Sequence, residues 1–121
     1  MLYVSFTYLL IMELSQDTEI EVGKLGTIPF KRGTYIYVGS APSEKRLERH
    51  LRKDKKMRWH IDYFLEKAEI KRIYIVEGKE CETAQKVGLP CIKGFGCSDC
   101  RCFSHLFYGE LPDTFGGKQY Y

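Results

Sequence analysis

The chain concentrates its reactive side chains between Gly33 and His60. Tyr37 and Gly39 end the apolar run GTYIYVGS, and Arg46 and His50 follow one helical turn apart. A phenol, a guanidinium and an imidazole in that order suit cleavage of a phosphodiester. The reaction needs an activated water, a cation against the charge of the transition state, and stabilisation of the leaving oxygen. Arg46 can direct two parallel N–H groups at two non-bridging oxygens. Tyr37 or Tyr8 can orient or deprotonate the water, although a phenol of ordinary pKa, about 10, needs a nearby cation or metal to lose its proton at neutral pH. His50 either packs within its helix or touches phosphate. Between Lys45 and Arg58 stand eight cations (Lys45, Arg46, Arg49, Arg52, Lys53, Lys55, Lys56 and Arg58) against Glu48 and Asp54, a local +6 in a chain of net +3, so the remainder carries −3. Such clustering is the footprint of a phosphate-binding face, because each neutralised phosphate releases condensed counterions. A solvated helix face is the plainer alternative.

These groups meet only if the right elements carry them. Thr34 to Val38, β-branched and aromatic and bounded by Gly33 and Gly39, reads as the strand that presents Tyr37. Gly39 permits a sharp exit. Ser40, Ala41 and Pro42 then open a helix, with Ser40 or Ser43 as N-cap and Leu47, His50 and Leu51 on its inward face. Upstream, about Leu2 to Leu14 reads as a long strand, and Glu19 to Val22 as a second that pairs with it across a polar turn at Ser15 to Asp17, an N-terminal hairpin. Downstream, Trp59 to Lys67 reads as a helix that packs Ile61, Phe64, Leu65 and Ala68 inward. Trp59, His60 and Asp62 are then helix core and internal hydrogen bonds. Lys71 to Val76 returns as a strand, Lys79 to Val87 as a short helix, and Phe103 to Tyr108 as a closing strand after a loop.

The class is therefore mixed α/β, of the α+β kind. With 121 residues, 44% of them hydrophobic and 29% charged, the composition is that of one globular domain over residues 1–121. The apolar opening has no preceding cation, is interrupted by Ser5 and Thr7, and ends at Glu13. It reads as a buried strand rather than a signal peptide. No other run approaches the roughly 18 to 20 apolar residues needed to span a bilayer. A cytoplasmic location is expected.

Five cysteines, an odd number, without an export signal point to reduced thiols rather than a disulfide framework. Cys97, Cys100, Cys102 and His105 have the ligand types of a tetrahedral zinc site, and Cys91 could replace one of them. Their C-x2-C-x-C-x2-H spacing is tighter than the two separated pairs zinc sites usually show. Buried, hydrogen-bonded thiols and imidazole are the alternative, as is a contribution of His105 or Asp99 to the phosphodiester site.

YVGSA followed by RLERH resembles the second half of the GIY-YIG nuclease signature. KKMRWHIDYFL, GKECETA and GFGCSDCRCFSHLF extend that resemblance over nearly the whole chain, toward the small stand-alone Uri-type endonucleases. The resemblance implies a small three-stranded antiparallel sheet flanked by helices, here with the extra N-terminal hairpin and a Cys-rich C-terminal segment. It also implies metal-dependent hydrolysis of DNA. The second signature tyrosine is matched by Tyr37, with Gly39 as its glycine, and the helix arginine by Arg46. The first signature tyrosine is matched by Tyr8, which follows Phe-Thr rather than Gly-Ile, whereas Tyr35 lies too close to Tyr37. Residues Ser15 to Lys31 lengthen the interval between the two tyrosines. The family's metal-binding glutamate is matched by Glu80, with Glu82 as its neighbour. The asparagine common near the end of such domains has no counterpart, since the chain contains none.

The expected activity is thus a metal-dependent endonuclease acting on nucleic acid, DNA by resemblance. Its catalytic set is Tyr8, Tyr37, Arg46, His50 and Glu80. Gly39, Lys45, Arg49, Arg52, Lys55, Lys56 and Arg58 form the expected nucleic-acid face. Mg²⁺ or Mn²⁺ would sit on Glu80, because Mg²⁺ keeps most of its waters and needs few protein ligands. A structural Zn²⁺ on the Cys/His cluster is the second cofactor considered. The alternative function is a non-catalytic nucleic-acid-binding module of the same fold, which the altered first motif and the missing asparagine favour. WHIDY, by the resemblance, helps shape the site.

Overall fold

The structure, a computed structural model, describes residues 5–96, 104–111 and 116–121. Its centre is β1, Phe6–Leu14, an almost uninterrupted apolar run. Only a strand covered on both faces can bury such a run. Strands β4 (Gly33–Ala41) and β5 (Glu69–Val76) pair with it on either side, both antiparallel. Two short strands complete the sheet at its edges, β6 (Leu106–Tyr108) on β4 and β7 (Lys118–Gln119) on β5. The order is β6-β4-β1-β5-β7. Strands β2 (Thr18–Glu21) and β3 (Thr27–Phe30) form a separate two-stranded ribbon around a 3-10 turn at Gly23–Leu25.

The register assigns the faces. Tyr8 lies opposite Gly39, and Leu10 opposite Tyr37. Cross-strand partners share a face and side chains alternate along a strand, so Tyr8, Leu10, Met12, Tyr35 and Tyr37 all look the same way. They pack with Leu47 of helix α1 (Lys45–Leu51), with Ile61 and Phe64 of helix α2 (His60–Leu65), and with Ile20 and Phe30 of the ribbon. Phe64 anchors this layer, its ring 5.0 Å edge-on from both Phe30 and Tyr35. The other face, Leu9, Ile11, Ile36 and Val38, is covered by Ala84 and Val87 of helix α3 (Glu80–Lys86) and its end. Among the described residues no helix is long and apolar enough to cross a membrane.

Three expectations change. The sheet has five strands rather than three, because the short segments at Leu106 and Lys118 hydrogen-bond to its edges. The N-terminal hairpin does not form: β2 pairs with β3, which leaves both edges of β1 to β4 and β5. Gly39 is not an exit, since β4 continues to Ala41; α1 starts at Lys45, whose N–H donates to Oγ of Ser43 at 3.3 Å, so of the two expected caps Ser43 is the one that meets the helix start.

Candidate active site and its arginine wall

Gly39 is where the site begins. A Cβ there would lie 2.5 Å from both Cζ and Oη of Tyr8, so only glycine lets the phenol cross the neighbouring strand. Gly39 itself is buried and serves Tyr8 rather than a phosphate. The Tyr8 hydroxyl ends 2.6 Å from Nε2 of His50, on the inward face of α1. Burial, reinforced by Tyr37, pushes the Tyr8 pKa well above 10, so the phenol stays protonated. His50 is 3% exposed, and burial together with Lys55 lowers its pKa to about 3. It remains neutral in the physiological range and positions Tyr8 instead of meeting phosphate as a cation.

Around that pair a cavity of about 380 Å³ is lined by Tyr8, Tyr37, Ser40, Arg46, Arg58, Trp59, His60, Glu80 and Gly96. Four of the five expected catalytic residues line it, from β1, β4, α1 and α3, with His50 directly behind Tyr8. Glu82 is exposed and is not part of the lining. A larger hollow of about 1070 Å³ lies by Thr7, Val76 and Thr83, but its described lining has no arginine or tyrosine and only Glu77 as a carboxylate.

Glu80 enters from the helix on the opposite face. Its Oε1 accepts a hydrogen bond from Nδ1 of His105 at 2.9 Å, and the same nitrogen lies 3.0 Å from the Val38 carbonyl oxygen. Burial alone would raise the Glu80 pKa. Hydrogen bonds from His105 and Ser40, with the charges of His105 and Arg46, outweigh it and hold the carboxylate below its ordinary range. The group is ionised. One partly exposed, ionised carboxylate in a polar cleft fits a Mg²⁺ or Mn²⁺ ion that keeps most of its waters. Among the described residues no cluster of three or more His, Cys, Asp or Glu is placed to hold a metal.

The arginines divide by partner. Arg49 makes a bidentate pair with the fully buried Asp62, at 2.8 and 2.9 Å, and also donates to the Lys56 carbonyl. Asp62 further accepts the backbone N–H groups of Arg58 and Trp59. Burial opposes its charge, but Arg49 and those two N–H groups hold its pKa below the ordinary value. Lys55 spends its ammonium on the carbonyls of Arg49, His50 and Arg52 at the end of α1. Arg49 and Lys55 are therefore structural, because the buried carboxylate and the open helix end claim them. Lys45, Arg52, Lys56 and Arg58 are exposed. Arg46 donates from Nη1 to the Ser40 carbonyl at 2.6 Å, which fixes its plane beside the cleft.

Trp59 joins the wall together. The guanidinium carbons of Arg46, Arg49 and Arg58 lie 4.9, 4.4 and 5.3 Å from the centre of its ring. His60 accepts the Gly96 N–H at Nδ1, 2.8 Å away. Sequence reasoning read Ser40 as a cap and Trp59 as core. The long-range pairing of Ser40 with Glu80 is encoded by no local spacing; Arg46, Arg49, Arg52 and Arg58 ahead of the one tryptophan were the available signal.

The cysteine expectation changes in part. Cys81 is disulfide-bonded, and Cys91 is a free thiol. An odd cysteine count guarantees a leftover thiol without forbidding a bridge. Cys97, Asp99, Cys100 and Cys102 lie outside the described residues, so of the zinc set only His105 is placed, behind Glu80.

No curated protein and no solved structure matches the chain. A family model described as domain of unknown function DUF123 matches residues 7–115, nearly the whole sequence, and the chain belongs to that family.

Proposed function

We propose that the protein is a metal-dependent endonuclease of GIY-YIG type that hydrolyses phosphodiester bonds of nucleic acid, DNA by resemblance. The observation that carries this reading is the convergence of Tyr8, Tyr37, Arg46 and Glu80 on one cleft from four separate elements. The mostly antiparallel five-stranded sheet, with β4-β1-β5 at its centre, is compatible with this reading, and the β2–β3 ribbon occupies the long interval between the two tyrosines.

Glu80 would hold Mg²⁺ or Mn²⁺, which when bound supplies charge against the leaving oxygen. Arg46, its plane set by Ser40, directs its remaining donors at the non-bridging oxygens. Those donors are fixed before substrate arrives, so little reorganisation accompanies the developing charge. Tyr8, protonated and held by His50, orients the attacking water by hydrogen bonding, and Tyr37 lines the cleft beside it. The exposed cations from Lys45 to Arg58 hold the flanking backbone.

The test is cleavage of labelled linear and branched DNA and RNA with Mg²⁺, Mn²⁺ or EDTA, comparing wild type with Glu80→Ala. Metal-dependent cutting that the substitution abolishes supports the proposal. Wild type that binds the panel and cuts nothing under any metal rejects it in favour of the binding module.

A further inference from the structure

Arg46 accounts for one phosphate, yet the cleft wall carries a second guanidinium. Arg58 stands in the same lining and over the same indole as Arg46. Two cations that share one ring centre can be at most about 10 Å apart, the sum of their distances to it. Arg49, the third cation on that indole, is neutralised by Asp62. Arg58 is not: it is exposed, and among the described residues its guanidinium meets only the Trp59 ring. Its backbone is nevertheless fixed, because its N–H is held at 2.8 Å by the buried Asp62 carboxylate. An anchored backbone whose guanidinium has no acceptor among the described residues presents that guanidinium to an anion.

The charges of the lining point the same way. Among the described residues lining the cleft, Glu80 is the one carboxylate beside Arg46 and Arg58. One phosphodiester brings one negative charge and satisfies one guanidinium fork. Two consecutive phosphates of a strand satisfy both, one at each fork, where the shared indole keeps the two guanidinium carbons within about 10 Å of each other. Trp59 is not free to stack a base, since three guanidinium groups already surround its ring.

We propose that Trp59 organises Arg46 and Arg58 into a two-phosphate clamp, in which Arg58 takes the phosphate next to the one held by Arg46. The inference rests on the nucleic-acid reading of this cleft but not on turnover. It makes Arg58 a substrate-positioning residue that recognises a strand of at least two linkages.

Trp59 is the only tryptophan in the chain, so its fluorescence reports on the clamp directly. The experiment titrates the full chain in EDTA with a thymidine dinucleotide (one phosphate), the trinucleotide (two phosphates), and trinucleotides in which one linkage is a neutral methylphosphonate. For wild type, the trinucleotide binds about tenfold more tightly than the dinucleotide, and either methylphosphonate removes that gain. Arg58→Gln abolishes the gain, Arg58→Lys restores part of it, and Arg46→Gln weakens binding of every ligand. The proposal is overturned if the second phosphate adds nothing in wild type, if it adds as much in Arg58→Gln, if inorganic pyrophosphate binds as tightly as the trinucleotide, or if no oligonucleotide changes the Trp59 emission. Cleavage in Mg²⁺, measured separately, decides the nuclease reading, so a clamp without turnover and turnover without a clamp are distinguishable.

Discussion

At the scale of single residues, the site depends on a missing side chain and a missing charge. The space at Gly39 is filled by the end of the Tyr8 ring. Gly39→Ala must push that ring away and break its contact with His50, and overpacking of this kind costs about 1 to 3 kcal/mol. Urea unfolding should show that loss, and Tyr8→Leu should relieve part of it; equal costs of Gly39→Ala in both backgrounds would contradict the contact. The missing charge is that of His50. Its folded pKa of about 3 lies below the ordinary value of about 6.5, so the unfolded chain takes up the proton first as pH falls. The stability it contributes is complete above about pH 6.5 and is lost as pH falls toward 3, amounting to about 2 kcal/mol between pH 7 and pH 5. That interval lies above the carboxylate range, so Glu80 and Asp62 do not obscure it. Stability of wild type should fall across it, and that of His50→Gln should fall less; parallel curves would show that the ring titrates normally. That Tyr37, Arg46 and Glu80 share one cleft follows the grouping that the resemblance implies. The burial of His50 was not legible in the sequence, since a histidine on the inward face of a cationic helix reads equally well as packing or as phosphate contact.

Among the elements, the loop from Arg52 to Trp59 and the start of α2 hang on one carboxylate. Asp62 accepts from Arg49 and from two backbone N–H groups while wholly buried. Removing one partner of a buried, hydrogen-bonded ion pair costs about 3 to 5 kcal/mol, because the other charge stays behind. Asp62→Ala should therefore destabilise strongly, and Arg49→Met with Asp62→Ala should cost less than the two single losses combined. Chemical unfolding of the four proteins in the cycle measures this, and strict additivity would refute the pairing. Most helices and strands were readable from periodicity: α2, α3 and β5 differ from expectation mainly at their ends. Strand partners were not readable. The polar turn at Ser15 to Asp17 looks like a hairpin from either side, and what decides against it is that β4 and β5 already occupy both edges of β1. The short strand β7 could not be foreseen, because Lys118–Gln119 carries no apolar alternation and owes its strand geometry to hydrogen bonds with β5.

For the whole molecule, the charge cluster divides into cations that hold the fold and cations that face solvent. Arg49 and Lys55 belong to the first group, while Lys45, Arg52, Lys53, Lys56 and Arg58 are exposed. With Arg46 at the cleft, six positive groups remain for a nucleic-acid backbone. Each phosphate neutralised on duplex DNA contributes about −0.9 to the slope of log binding constant against log salt, so engagement of all six gives a slope of about −5. Lys53→Gln with Lys56→Gln should then flatten the slope by about 2 without destabilising the fold. Lys55→Met should do the reverse: it leaves the slope in place and lowers stability by about 1 kcal/mol, through loss of the ammonium that closes the end of α1. Anisotropy titrations of a short labelled duplex across a salt series, paired with urea unfolding, separate the two groups. An equal flattening by Lys55→Met would mean that its ammonium leaves the helix end to meet phosphate. Net charge alone could not sort these residues, because what divides them is whether a buried carboxylate or an open helix end claims the side chain first.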